Sequence, residues 1–199
     1  MKIFGDQRSG NCFKLKLACS LLGIEHEWVH VDILEGQTGT PEFLARNPNG
    51  KIPLLELADC RHLSESNAIL NYLARDSALE PSDAFQRAQV QQWQFFEQYS
   101  HEPFIAVARF IALYQGMPED RVQEYQDKQA GGHKALAVME ARLANSDYLV
   151  GERLSTADIA LYAYTHVAHE GGFSLDGYPG ICRWLRRVEA EPGYITMQE

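Results

Sequence analysis

Asn47-Pro48-Asn49-Gly50-Lys51-Ile52-Pro53-Leu54-Leu55-Glu56-Leu57 is the stretch on which the reading of this chain turns. Its first four residues are dense turn chemistry, and Leu54 to Leu57 is a short apolar strand. Pro53 stands at the mouth of that strand. There it removes one edge donor and can take the cis form at a cost of about 0.5–1 kcal/mol. A cis bond would turn the N–H and C=O of Ile52 outward, where they could pair with an extended peptide-like ligand as an added strand does. The plainer alternative is an ordinary turn proline, and the motif alone does not choose between them.

Outward from this stretch, the pattern alternates between strand and helix. Lys2-Ile3-Phe4 is a short strand, followed by a loop from Gly5 to Gly10. From Cys12 to Leu22 the apolar residues Phe13, Leu17, Ala18, Leu21 and Leu22 recur at helical spacing, and Gly23 stops the helix. Glu27 to Val31 alternates in period two, as a strand with one buried face does. After the loop Gly36–Thr40, Pro41 suits the first turn of a short helix, Glu42 to Arg46. On the other side, Ala58-Asp59 turns the chain into a strand at Cys60 to Leu63. Ser64 to Arg75 is a helix with Ile69, Tyr72 and Leu73 on one face. The order is β-α-β-α-β-β-α, a small mixed sheet with helices packed on it.

The second half has a different grammar. Residues 1–76 are expected to form the first domain, 77–84 a polar linker containing Pro81, and 85–199 a helical domain. Ala84 to Gln115 reads as one long helix, distorted at Pro103 by the loss of a backbone bond. Asp120 to Ala144 is the next, and its central Gly131-Gly132 predicts close packing or a break. Ser155–His169 and Tyr178–Val188 are two more. Ser155-Thr156-Ala157-Asp158 has the form of a capping box, with Leu154 and Ile159 as its hydrophobic staple, and this structural role is preferred over a catalytic acid at Asp158.

Composition narrows the function. The chain has 199 residues and a formal net charge of -9, which opposes non-specific binding to nucleic acid or anionic lipid. No run of about 18 apolar residues exists to span a bilayer, and the N-terminus lacks the form of a signal peptide. Cys12, Cys19, Cys60 and Cys182 make no C-x-x-C pair and no zinc-type spacing, so reduced thiols in a cytoplasm are expected and no metal site.

Two further segments carry chemistry. Ser66 opens a helix, so its hydroxyl and the nearby N–H groups can hold a carboxylate, while Glu65 can pair with an ammonium. Together they match an amino-acid head group. A plain cap serine beside a solvated glutamate is the alternative. Arg8-Ser9-Gly10-Asn11-Cys12 joins the first strand to the first helix. A thiolate placed there would accept a hydrogen bond from Ser9, and such bonds to charged groups contribute about 1.5–3 kcal/mol. That lowers a thiol pKa by roughly one to two units.

These pieces in this order, with an all-helical second half, resemble the glutathione transferase superfamily across essentially the whole chain. The clearest marks are Pro41-Glu42-Phe43-Leu44, Asn47 to Pro53, Glu65 to Ile69 and Leu154 to Ala160. The resemblance implies a thioredoxin-like α/β domain followed by an all-α domain. It implies that Ile52, ahead of a cis Pro53, binds the cysteinyl part of glutathione, and that Glu65 and Ser66 hold the γ-glutamyl group. Lys51, with Gln37 or Thr38, is implied at the glycyl carboxylate. Ser9 falls where serine-type classes keep the thiol-activating hydroxyl, and Asn11 matches an asparagine that some nu-like bacterial members place near the sulfur. Cys12 falls one residue past the cysteine of beta-class proteins and reads as a helix residue rather than a redox nucleophile.

For the acceptor, the resemblance points to Tyr99, His101, Phe104 and Arg109 on the long helix. An ion pair with a carboxylate is the competing role for Arg109. The expected activity is attack of glutathione thiolate on an electrophilic small molecule. Glutathione-dependent disulfide reduction and a non-catalytic binding module are the alternatives, and a homodimer is implied through the helix from Phe85 to Tyr99.

Overall fold

The computed structural model describes residues 1–199 as two compact units, Met1–Ser77 with Glu191–Glu199, and Ala78–Ala190. In the first unit, β1 (Lys2–Gly5), α1 (Gly10–Leu22), β2 (Glu27–His30), α2 (Pro41–Arg46), β3 (Leu54–Glu56), β4 (His62–Ser64) and α3 (Ser66–Ala74) follow in the expected order. The sheet order is β2-β1-β3-β4, with β1 and β2 parallel and the other pairs antiparallel.

Strand alternation sorts the core of this unit. Phe4 and its partner Leu54 share a cluster with Val31 and with Phe43 of α2. The neighbouring pair Ile3 and Leu55 points to the opposite face and is fully buried, as are Leu15 and Leu17 of α1 and Ile69 and Leu70 of α3. Each fully buried aliphatic side chain contributes about 1.5–3 kcal/mol against exposure. The helix ends obey local chemistry. Thr40 caps α2 by accepting from Phe43 N–H at 3.3 Å, and Gly23 ends α1 at φ +64°.

The tail departs from the expected domain boundary at the C-terminal end. Residues 191–199 join the first unit, because the Ser20 hydroxyl donates to the Gly193 carbonyl at 2.7 Å and the Gln7 side chain donates to the Gln198 carbonyl. The expected linker is also shorter. Leu79 is buried and its carbonyl accepts from Thr156 N–H at 3.2 Å, which ties that stretch to the helical unit.

The second unit comprises α4 (Ala84–Phe96), α5 (Glu102–Arg109), α6 (Val122–Leu143), α7 (Thr156–Thr165) and α8 (Pro179–Glu189). The long helix is distorted where Pro103 has no N–H to give. A π-helical turn at Glu97–His101 leads into α5, and a second at Phe110–Tyr114 follows it. Gly131-Gly132 does not break α6. A Cβ on Gly131 would stand 2.2 Å from the Phe104 ring, and one on Gly132 2.2 Å from the Phe173 ring. The glycines let two aromatic rings lie against the helix backbone. The helix expected at Ser155–His169 ends at Thr165 and gives way to a 3-10 turn at Ala168–Gly171.

Asp158 is fully buried and accepts from four donors: Leu149 N–H, Ser155 N–H, the Ser155 hydroxyl and the Trp184 indole, all at 2.8–2.9 Å. Burial pushes its carboxyl up, and these bonds oppose that shift. It is the hub of a cap.

Candidate active site

Sheet register decides where the chemistry gathers. Phe4 lies opposite Leu54, and Leu54 lies opposite Ser64. The ends of β1 and β4 and the start of β3 therefore share one edge. The chain leaves or enters the sheet there through Asp6–Ser9, Ile52–Pro53 and Glu65–Ser66. β2 runs parallel to β1 and ends at His30 on the same edge, ahead of the turn that holds Gln37 and Thr38.

The Ile52–Pro53 peptide bond is cis. Ile52 is half-buried, and neither its N–H nor its C=O is taken by a backbone partner. The turn before it is held by Asn47, whose buried amide donates to the Lys51 carbonyl at 2.7 Å. Lys51 itself projects into solvent. Gly50, at φ +61°, brings this turn against the 3-10 turn at Gln37–Gly39; a Cβ there would stand 3.3 Å from the Thr38 carbonyl. Gln37 also has a structural task, since its side-chain oxygen accepts from Asp32 N–H at 2.8 Å.

Glu65 is exposed and sits at φ +69°, ψ +113°, a region that a residue with a Cβ seldom occupies. Such backbone costs of the order of 1–3 kcal/mol and is concentrated at ligand clamps. Ser66 follows at the start of α3 and is buried. Its hydroxyl donates to Asn11 Oδ1 at 3.1 Å and accepts from Lys14 Nζ at 3.1 Å. Ser9 is the N-cap of α1, where its oxygen accepts from Cys12 N–H at 3.4 Å. Capping uses an acceptor lone pair, so the Ser9 O–H can still donate outward. Cys12 is fully buried, and burial pushes its thiol up to about 12 despite the Ser9 contact, so it supplies no thiolate at neutral pH.

The arrangement thus offers an open backbone N–H and C=O pair, a helix N-terminus flanked by a carboxylate, and a hydroxyl with an amide at the neighbouring loop. A family model described as "Glutathione S-transferase, N-terminal domain" matches residues 8–76, and "Glutathione S-transferase, C-terminal domain" matches residues 100–192. A probable glutathione S-transferase of Oryza sativa subsp. japonica is 32% identical over 202 residues, covering 96% of this chain and 93% of that protein. This chain belongs to the glutathione S-transferase family. Among solved structures, a glutathione S-transferase from Pseudomonas fluorescens is 61% identical with a TM-score of 0.98, covering 100% of this chain and 98% of that one. A maleylacetoacetate isomerase from Methylobacterium extorquens with bound malonate and glutathione is 28% identical with a TM-score of 0.82, covering 97% of this chain and 94% of that one.

As a glutathione S-transferase, the chain places the expected acceptor residues unevenly. His101 is fully buried, with Nε2 2.9 Å from the Thr165 hydroxyl. Arg109 is also buried and pairs with Glu170. Both side chains lie inside the helical unit, away from solvent, and for Arg109 the pair with Glu170 is the competing role expected above. Phe104 is half-buried against Gly131, and Tyr99 is 81% exposed.

One residue of this family member escaped the sequence reading. Lys14 is fully buried and touches Ser66. The signal was present, because Lys14 lies four residues before Ala18 on the apolar face of α1.

Proposed function

We propose that the chain binds glutathione along the sheet edge and activates its thiol for attack on an electrophilic small molecule. The observation that carries this reading is the Ser66 hydroxyl bonded to both Asn11 and Lys14, which joins the head-group end of the edge to the loop that bears Ser9. Ile52 pairs with the cysteinyl backbone, Glu65 takes the γ-glutamyl ammonium, and the α3 N-terminus with Ser66 takes its carboxylate. Lys51 meets the glycyl carboxylate, with Gln37 and Thr38 in the adjoining turn. The Ser9 hydroxyl and the Asn11 amide face the sulfur and favour the thiolate.

Phe85, Phe95 and Tyr99, 71%, 65% and 81% exposed, form an aromatic stripe along α4 and the π turn after it. Such a stripe suits a homodimer interface.

The test is turnover of a chloro-nitrobenzene, a mixed disulfide and a maleyl cis-trans substrate by wild type, Ser9→Ala and Asn11→Ala. Wild type is expected to turn over at least one with glutathione, and Ser9→Ala to lose about tenfold or more in kcat/KM, the equivalent of one hydrogen bond to a charged group. Absence of both turnover and thiolate absorbance on adding glutathione would sink the proposal.

A further inference from the structure

We infer that the tail, residues 191–199, is a strap laid along α1 that holds the turn bearing Ser9, with Gln7 as the positioning residue through which it acts. This rests on the glutathione reading above.

The turn itself is short. Ser9 N–H donates to the Asp6 carbonyl at 3.1 Å, so Asp6 to Ser9 is a β-turn with Gln7 and Arg8 at its corners. Its inner side is fixed by the buried Asp6 carboxylate, which accepts from Arg8 N–H at 2.8 Å. Its outer side faces solvent at Gln7. There the Gln7 amide donates to the Gln198 carbonyl, which is the second clamp on the turn. The last residue of that turn carries the hydroxyl proposed for the sulfur. Such a group must be held within a fraction of an ångström, and a misplacement of about 1 Å can cost about a hundredfold in rate.

The other attachment of the strap is at the opposite end of α1. Ser20, in the last turn of the helix, donates its hydroxyl to the Gly193 carbonyl at 2.7 Å. Gly193 has φ +87°, and a Cβ there would stand 3.1 Å from the Ser20 carbonyl oxygen and 3.3 Å from Leu21 Cα. The strap lies flat on the helix backbone at this point, and a side chain there would be both strained and crowded. Between the two attachments Tyr194, Ile195 and Met197 are half-buried, and no residue of α1 is exposed. Midway, Lys16 holds its ammonium 5.1 Å from the centre of the Trp28 ring. Burial pushes the Lys16 pKa down, and Glu199 of the strap is among the groups that oppose that shift. A helix apolar on nearly every side needs cover on every side, and the strap supplies part of it. The bond from Gln198 to Gln7 then couples that cover to the turn of Ser9.

The experiment is an ultraviolet titration of the glutathione thiolate at saturating glutathione, with kcat and KM, for wild type, Gln7→Met, Gly193→Val and the double variant. Gln7→Met keeps the length of the side chain without its donor, and Gly193→Val lifts the strap at the far end of α1. Wild type should hold the bound thiol pKa below that of free glutathione. Each single variant should raise it by about half a unit and, at a pH below both values, lower kcat about threefold, while KM for glutathione changes by about twofold or less. The double variant should be no worse than the poorer single one, because both cut the same linkage. A strap that only stabilises the fold would lower the melting temperature of Gly193→Val and leave the bound thiol pKa at its wild-type value, and that result overturns the inference. So does a double variant whose losses multiply. Gln7 is exposed, so a wild-type thiol pKa in Gln7→Met overturns the inference even where Gly193→Val fails to fold. These outcomes leave glutathione binding standing, whereas a wild-type protein that does not lower the thiol pKa overturns both.

Discussion

Two buried polar networks, one in each compact unit, are organised around a charged side chain and differ in how they end. Around Asp158, four donors converge on two carboxylate oxygens, and every one of them belongs to the fold: two backbone amides, a cap serine and the buried Trp184. The network is closed. Around Lys14, the chain passes through buried Ser66 and finishes at half-buried Asn11, beside the loop of Ser9. It opens at the sheet edge. A closed network uses its hydrogen bonds for stability, whereas an open one ends on side chains within reach of a ligand.

The most severe way to break this comparison is Asp158→Ala. It leaves three buried N–H groups without their acceptor, and should cost about 3 kcal/mol or more in urea unfolding. The thiol pKa of bound glutathione should stay at its wild-type value in the folded fraction. Asn11→Ala should show the reverse, a shifted thiol with stability changed by about 1 kcal/mol or less. If both variants moved both readouts alike, the distinction between the networks would fail.

A second contrast concerns pH. His166 stacks on Tyr162 at 4.6 Å, with its Nδ1 2.8 Å from the Tyr162 carbonyl oxygen. Burial pushes its pKa down to about 4, with Arg109 adding in the same direction. The unfolded chain then takes up the proton first. His166 contributes its full stability above pH 6.5 or so and loses it as pH falls toward 4, by up to about 3 kcal/mol. Unfolding of wild type and His166→Phe across that range checks the sign: the variant should lose less stability on acidification.

A smaller effect is expected in α6. Helix propensity favours alanine over glycine by about 1 kcal/mol, but overpacking costs about 1–3 kcal/mol. Phe173 is fully buried and cannot yield, while half-buried Phe104 can swing aside. Gly132→Ala should therefore be destabilised by about 2 kcal/mol, and Gly131→Ala by less, in thermal melts. The smallest change is on the open side. Glu65→Gly relieves the φ +69° backbone and should gain about 1 kcal/mol of stability. The same variant should bind glutathione more weakly, as calorimetry would show, because it lacks the carboxylate proposed above for the ammonium.

Much of this was legible in the residues. Turn chemistry at Asn47–Gly50, the strand after Pro53 and the helix period of α1 gave the order of the first unit, because each is set by neighbours in sequence. The Ser155–Asp158 cap was legible for the same reason. The burial of His101 and Arg109 was not, since His101 lies inside the π-helical turn at Glu97–His101, which adds a residue to the helical cycle and rotates Arg109 beyond it. Nor was the fate of the tail, which depends on Ser20 and Gln7 far away in sequence. Lys14 was hidden by its chemistry: a lysine among apolar residues reads as a snorkelling surface side chain until Ser66 is seen to receive it.

The central claim is that glutathione lies on the sheet edge with its sulfur at the Ser9–Asn11 loop, and a crystal structure of the wild-type protein grown with glutathione tests it most directly. The account predicts the cysteinyl backbone paired with Ile52, the γ-glutamyl carboxylate at the α3 N-terminus beside Ser66, and the sulfur within hydrogen-bond reach of the Ser9 hydroxyl or the Asn11 amide. Glutathione bound elsewhere, or its sulfur turned away from that loop, would contradict it.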